Sequence, residues 1–127
     1  MPAPGVHAFL GLALTLLLPA AASAADRTAV QELACEPGRD LLLARDGTVS
    51  ACRLAAAGEL LVGTAGGNPK VACAAGARVE FHRNGYLSFC DPAAAAAAYF
   101  TRGRRSTQCR AGARVAFDEN GFLEYCS

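Results

Sequence analysis

The sequence predicts an all-β protein, in which three tandem antiparallel β-hairpin repeats form one small curled sheet or a short solenoid, with a short helix in the 91–100 connector. Three observations predict it. Six cysteines stand at 35, 52, 73, 90, 109 and 126, each successive pair separated by 17 positions. The residues between them repeat: CAAGARVEFHRNGYLSFC (73–90) and CRAGARVAFDENGFLEYC (109–126) share 11 of 18 positions, and CEPGRDLLLARDGTVSAC (35–52) is a diverged copy. Within each copy apolar residues alternate on either side of Asp-Gly or Asn-Gly, the strongest short-range hairpin signal.

Taken in order, residues 8–18 are almost wholly aliphatic and are followed by Pro19 and the small-residue run 20–24. This is the pattern of an export signal cleaved after Ala24, although no Lys or Arg precedes it. An uncleaved anchor and a buried helix are the other readings of the stretch. Residues 25–127 are then a single small domain. Its first ten residues are expected to be a frayed arm or a short helix.

Each repeat has the form C-x2-G-x2-[VL]-x-[FL]-x2-[DN]-G-x-[VL]-x2-C. A two-residue loop at Asn84-Gly85 would put Val79 and Phe81 on one side of the hairpin and Leu87 and Phe89 on the other. A three-residue loop, Arg83-Asn84-Gly85, with a left-handed glycine in a G1 bulge, brings all four to one face. The turn glycines are thus Gly47, Gly85 and Gly121. The predicted core is Leu41, Leu43, Val49 and Ala51, then Val79, Phe81, Leu87 and Phe89, then Val115, Phe117, Leu123 and Tyr125. Of the connectors, the first suggests a strand at Leu60–Val62 before Asn68-Pro69. The second, Asp91-Pro92 followed by six Ala, reads as a short helix with Asp as N-cap and Pro at its first position.

Twelve modest side chains make a thin core, and disulfides are the usual remedy at this size. An even cysteine count, regular spacing and an export signal favour a disulfide framework, and without C-x-x-C there is no zinc-ligand spacing. A unit duplicated whole carries its own bridge, which favours Cys35–Cys52, Cys73–Cys90 and Cys109–Cys126. If C-x-x-G turns tightly into the first strand, however, the leading Cys lies one strand away from its mate. The alternative set is Cys52–Cys73, Cys90–Cys109 and Cys35–Cys126.

With 12 basic and 11 acidic residues the formal charge is +1, which offers no global field for nucleic acid or anionic membrane and too little charge for a cationic toxin. His82, the one histidine after the expected cleavage site, is expected at an exposed position just before a turn; alone it makes no metal constellation, and no nucleophile motif is present. No catalytic residue, cofactor or metal is therefore assigned. Arg102, Arg104 and Arg105, beside Tyr99 and Phe100, form the one dense charge cluster. They are a possible anion or partner contact, with Arg78 and Arg114 as additions, or simply a solvated connector.

The F-x-x-N-G-x-L core of the copies resembles the hairpin unit of MORN-type repeat proteins. That resemblance implies single-hairpin repeats acting as scaffolds or binding surfaces, and it assigns no site residue. The expectation is a periplasmic or secreted, non-enzymatic binding or structural module without a membrane span after cleavage. Its partner would be an unknown protein or envelope component met by the exposed strand faces and turns. A small enzyme of unrecognised class and an inhibitor-like or toxin-like domain are the alternatives.

Overall fold

The structure, a computed structural model, describes residues 25–38, 40–63, 67–93 and 96–127; the expected export signal lies outside them. Twelve strands follow one another: β1 Ala25–Arg27, β2 Glu32–Ala34, β3 Leu42–Leu43, β4 Val49–Arg53, β5 Gly58–Leu61, β6 Lys70–Cys73, β7 Arg78–Phe81, β8 Leu87–Cys90, β9 Ala97–Phe100, β10 Ser106–Cys109, β11 Val115–Phe117 and β12 Leu123–Cys126. They form four sheets rather than a single curled one. The three repeat hairpins lie side by side in a six-stranded sheet ordered β12-β11-β8-β7-β4-β3, and the segments preceding each repeat form separate two-stranded ribbons, β1-β2, β5-β6 and β9-β10.

Two connector expectations are therefore corrected. No helix occurs among the described residues. In the 91–100 connector, β9 pairs with β10 from Ala97–Cys109 to Phe100–Ser106, with Tyr99 turned into the core. Alanine's helix propensity yields here to sheet pairing, because so short a helix is marginal without an apolar face to bury. The expected arm or helix at 25–34 is likewise a ribbon, with Asp26 opposite Leu33. The strand expected at Leu60–Val62 spans Gly58–Leu61.

The three-residue turn forms in every repeat. His82 and Tyr86 close the second hairpin, and the Gly85 amide donates to the His82 carbonyl. Ala44 with Thr48 and Asp118 with Phe122 do the same in the other two. Gly47, Gly85 and Gly121 take φ of 88°, 90° and 89°, a region that costs a residue with a Cβ.

Beyond the turn a second irregularity recurs. Phe81 opposes Leu87, but Glu80 opposes Phe89, so Ser88 is an extra residue; Ser50 and Glu124 occupy the same place in their copies. This bulge turns Phe89 and Tyr125 away from the core face to which the alternation assigned them. Leu42, Ala51, Glu80, Phe89, Ala116 and Tyr125 instead form one register row along the outer face, Tyr125 being 55% exposed. The same bulge returns the following Cys to the inside: Cys52 and Cys90 are fully buried.

The core lies between the inner face of the six-stranded sheet, with Val49, Val79, Leu87, Val115, Phe117 and Leu123, and the inward side chains of the ribbons, with Leu33, Leu60, Val71 and Tyr99. The bridges are Cys35–Cys52, Cys73–Cys90 and Cys109–Cys126, with Cα separations of 5.8, 5.9 and 5.9 Å. The separation that the tight turn threatened does not arise, because the leading Cys ends a ribbon instead of starting the hairpin. Cys73 opposes Pro92 and Cys35 opposes Leu54, each two residues past the trailing Cys. Every bridge thus ties a ribbon to the hairpin of its own repeat. Three disulfides are the chemistry of an oxidising environment.

Consecutive repeats are joined in one recurring way. The trailing strand of a hairpin pairs with the leading strand of the next, β4 with β7 and β8 with β11. Below, the turn of each of the first two ribbons carries an amide side chain that grips the following repeat. Gln31 donates to the carbonyls of Leu61 and Gly85 and accepts from the Leu61 amide. Buried Asn68 donates to the carbonyls of Phe100 and Gly121 and accepts from the Phe100 amide. Contact there is close: a Cβ on Gly63 would meet the Asn120 carbonyl oxygen at 2.7 Å.

Candidate functional site

The two junctions between hairpins differ at their tips, and the difference can be read residue by residue. At the second junction, His82 Nε2 donates to the Phe117 carbonyl at 2.8 Å and Asn84 Nδ2 donates to the Glu119 carbonyl at 3.1 Å. A carbonyl only accepts, so the imidazole hydrogen sits on Nε2. At the first junction the equivalent positions are Ala44, which has no donor, and Asp46, whose carboxylate accepts from the amide and hydroxyl of Thr48 within its own turn. Among the described residues no side chain of that tip bonds across the gap.

The pairing of β4 with β7 runs from Arg53–Arg78 to Ala51–Glu80 and goes no further. Beyond it a half-open groove of about 800 Å³ separates the arms of the first two hairpins. One wall is formed by Ala44, Arg45, Asp46, Thr48 and Ser50, the other by Phe81, His82, Arg83 and Gly85, with Thr28 of the first ribbon alongside. Thr28 is itself buried and donates to the Gly85 carbonyl, which holds the second wall in place. Arg45 and Arg83 are exposed, and neither makes an ion pair among the described residues. The Asp46 carboxyl lies below its ordinary value chiefly because the Thr48 hydroxyl, and then the Thr48 amide, donate to it.

The expected surface residues are largely committed to one another. Arg78 pairs with Glu80 at 3.2 Å; Arg114 pairs with Asp91 at 2.9 Å, and its guanidinium lies 4.6 Å from the centre of the Phe89 ring. The arginine cluster occupies the turn of the third ribbon, apart from the groove residues. Arg104 adopts a left-handed φ of 64°, the conformation the hairpin turns give to glycine. Arg102, though exposed, is tied to Asp118 at 3.0 Å, which leaves Arg104 and Arg105 as the cations of the turn without an ion pair among the described residues. His82, expected to be exposed, is half-buried and bonded. Among the described residues no three His, Cys, Asp or Glu side chains converge as a metal site would require.

Asp118 organises the third tip. Burial raises its carboxyl, but the Phe122 amide, the Arg102 guanidinium and the Asn120 amide together outweigh that effect and hold it below the ordinary 3.8. A carboxylate stabilised in this way strengthens the fold above the ordinary range and loses its contribution as pH falls through the lowered value. Asp118→Asn is therefore expected to cost about 1–2 kcal/mol at neutral pH, with the gap to wild type closing below about pH 4. Thermal melts across pH would show this; a gap independent of pH would refute it.

Sequence reading missed the groove, and with it Arg45 and Arg83, because repetition draws attention to what the copies share. The signal lay in what they do not: Ala44, His82 and Asp118 are equivalent positions, as are Asp46, Asn84 and Asn120. Compared with known proteins, the chain matches no protein-family model, and no curated protein or solved structure is significantly similar to it.

Proposed function

We propose that the protein is an exported, non-enzymatic binding module of the periplasm or cell exterior, and that the groove between its first two hairpin tips receives an acidic peptide segment of the partner. The observation that carries this reading is the opening of one junction in an otherwise regular repeat, flanked by two arginines without carboxylate partners among the described residues. Guanidinium groups on opposite walls suit carboxylates, the Thr48 hydroxyl and amide already occupy Asp46, and Phe81 offers an apolar surface for side-chain stems. The hydrogen bonds of the wall argue against catalysis there. Ser50 Oγ donates to the Leu42 carbonyl, and His82 Nε2 is spent on Phe117, so these two do not form a nucleophile–base pair.

The test is a titration of the isotopically labelled oxidised protein with a hexaglutamate peptide, followed by amide chemical shifts. Saturable shifts at Arg45, Thr48, His82 and Arg83 are expected, with affinity reduced about 10-fold or more in R45E/R83E and in high salt. Absence of saturable shifts, or equal shifts at Arg104 and Arg105, overturns the assignment.

A further inference from the structure

The repeat junction that occurs twice inside the chain is present at the ends of the sheet as two separated halves. Inside, the trailing strand of one repeat meets the leading strand of the next in a constant register: Ala51 opposite Glu80 and Cys52 opposite Val79, then Phe89 opposite Ala116 and Cys90 opposite Val115. At one end of the sheet β3 is a leading strand with no trailing partner among the described residues. At the other, β12 is a trailing strand whose Tyr125–Cys126 edge has no leading partner among the described residues. Main-chain bonds between Arg114 and Ser127 run in both directions, and the alternation of an antiparallel ladder then points the N–H and C=O of Cys126 out of the open edge.

Both edges are short or bulged, and Thr101 bridges Leu123 on β12, yet each edge leaves large apolar side chains exposed. Leu42 and Leu43 on β3 are 49% and 57% exposed, as is Tyr125 on β12 at 55%. The first hairpin also lacks the support its siblings have. A Cβ on Gly85 or Gly121 would meet the turn of the previous repeat's ribbon at 2.8 or 3.0 Å, whereas Gly47 has nothing within 4 Å. Charge differs between the ends in the complementary sense: residues 25–53 hold five acids and four bases, residues 97–127 three acids and five bases.

We propose that a second copy of the chain supplies the missing half, its β12 edge pairing with β3 of the first in the internal register, with Tyr125 opposite Leu42. Such a contact is heterologous. Each copy added leaves the same two edges free, so the product is an open head-to-tail chain and not a closed dimer. The Leu41 N–H is bonded to Gly38 of its own turn at 3.2 Å, so Cys126 first finds the Leu41 carbonyl.

The test uses the oxidised protein and two single variants at half-exposed positions, L42K and Y125K, whose melting curves report that the fold is kept. By sedimentation velocity the wild type is expected to form a concentration-dependent series of species, and each variant to associate about 10-fold more weakly or less. A mixture of the two variants still contains one intact junction, and is expected to form complexes that stop at one copy of each. Wild type that stays monomeric, a closed dimer that one variant leaves unchanged, or a mixture that stays monomeric would each overturn the proposal. Arg45 and Arg83 are untouched in these variants, so the result stands apart from binding in the groove.

Discussion

Phe117→Ala is expected to remove about 3–5 kcal/mol of stability, the range for deleting a fully buried aromatic side chain. Phe117 has no solvent exposure, and its ring meets Tyr99 edge-on at 5.5 Å, joining the six-stranded sheet to the third ribbon. Its carbonyl is the acceptor for His82, so a backbone shift at this residue also loosens the second junction. For a chain of this size the loss corresponds to a fall in melting temperature of about 15 °C or more. The counterpart substitution Phe81→Ala, at a residue only partly buried against the groove, is expected to cost distinctly less. Calorimetry of both variants checks the ranking, and equal losses would mean that Phe81 is packed as tightly as Phe117.

The double substitution C73A/C90A is expected to cost about 3 kcal/mol, the value for a loop of this length when the bridge acts by restricting the unfolded chain. That is a large part of the roughly 5–15 kcal/mol that holds a small domain together. All three bridges span 17 positions, so the unfolded-chain account predicts equal costs for all. Packing predicts a difference, because Cys73 and Cys90 are fully buried while Cys126 is only partly so. Guanidinium unfolding of C73A/C90A beside C109A/C126A separates the two contributions. A loss below about 1 kcal/mol in the first would show that the ribbon holds the hairpin without sulfur.

The hairpins, their three-residue turns and the within-repeat bridges were legible because each depends on residues close in sequence. Asn-Gly, a glycine that tolerates positive φ, and the parity of Val79, Phe81 and Leu87 are local facts. The ribbons were not legible, since their pairing joins segments of unequal length and dissimilar sequence: ELA, KVAC and STQC share no pattern beyond the cysteine at or just past their ends. The alanine run before β9 carried a helix preference that pairing with β10 overrode. The bulge had a cue that went unused. If Cys90 is buried in a bridge, Leu87, three positions before it, shares its face only if one residue between them is extra, and Phe89 then faces out. That cue would have moved Phe89 and Tyr125 out of the core. The expected arginine contact was visible as composition, but its partition into a committed Arg102 and two uncommitted neighbours depends on Asp118, sixteen residues on from Arg102.

Because the bridges join the first cysteine to the second, the third to the fourth and the fifth to the sixth, native connectivity is also the order in which thiols appear to an oxidant acting on a chain as it is threaded through. Six cysteines admit fifteen pairings. Here a catalyst that simply couples each thiol to its immediate predecessor, two at a time, arrives at the right one. No reshuffling is required, and every finished segment is locked before the following one can offer a wrong mate.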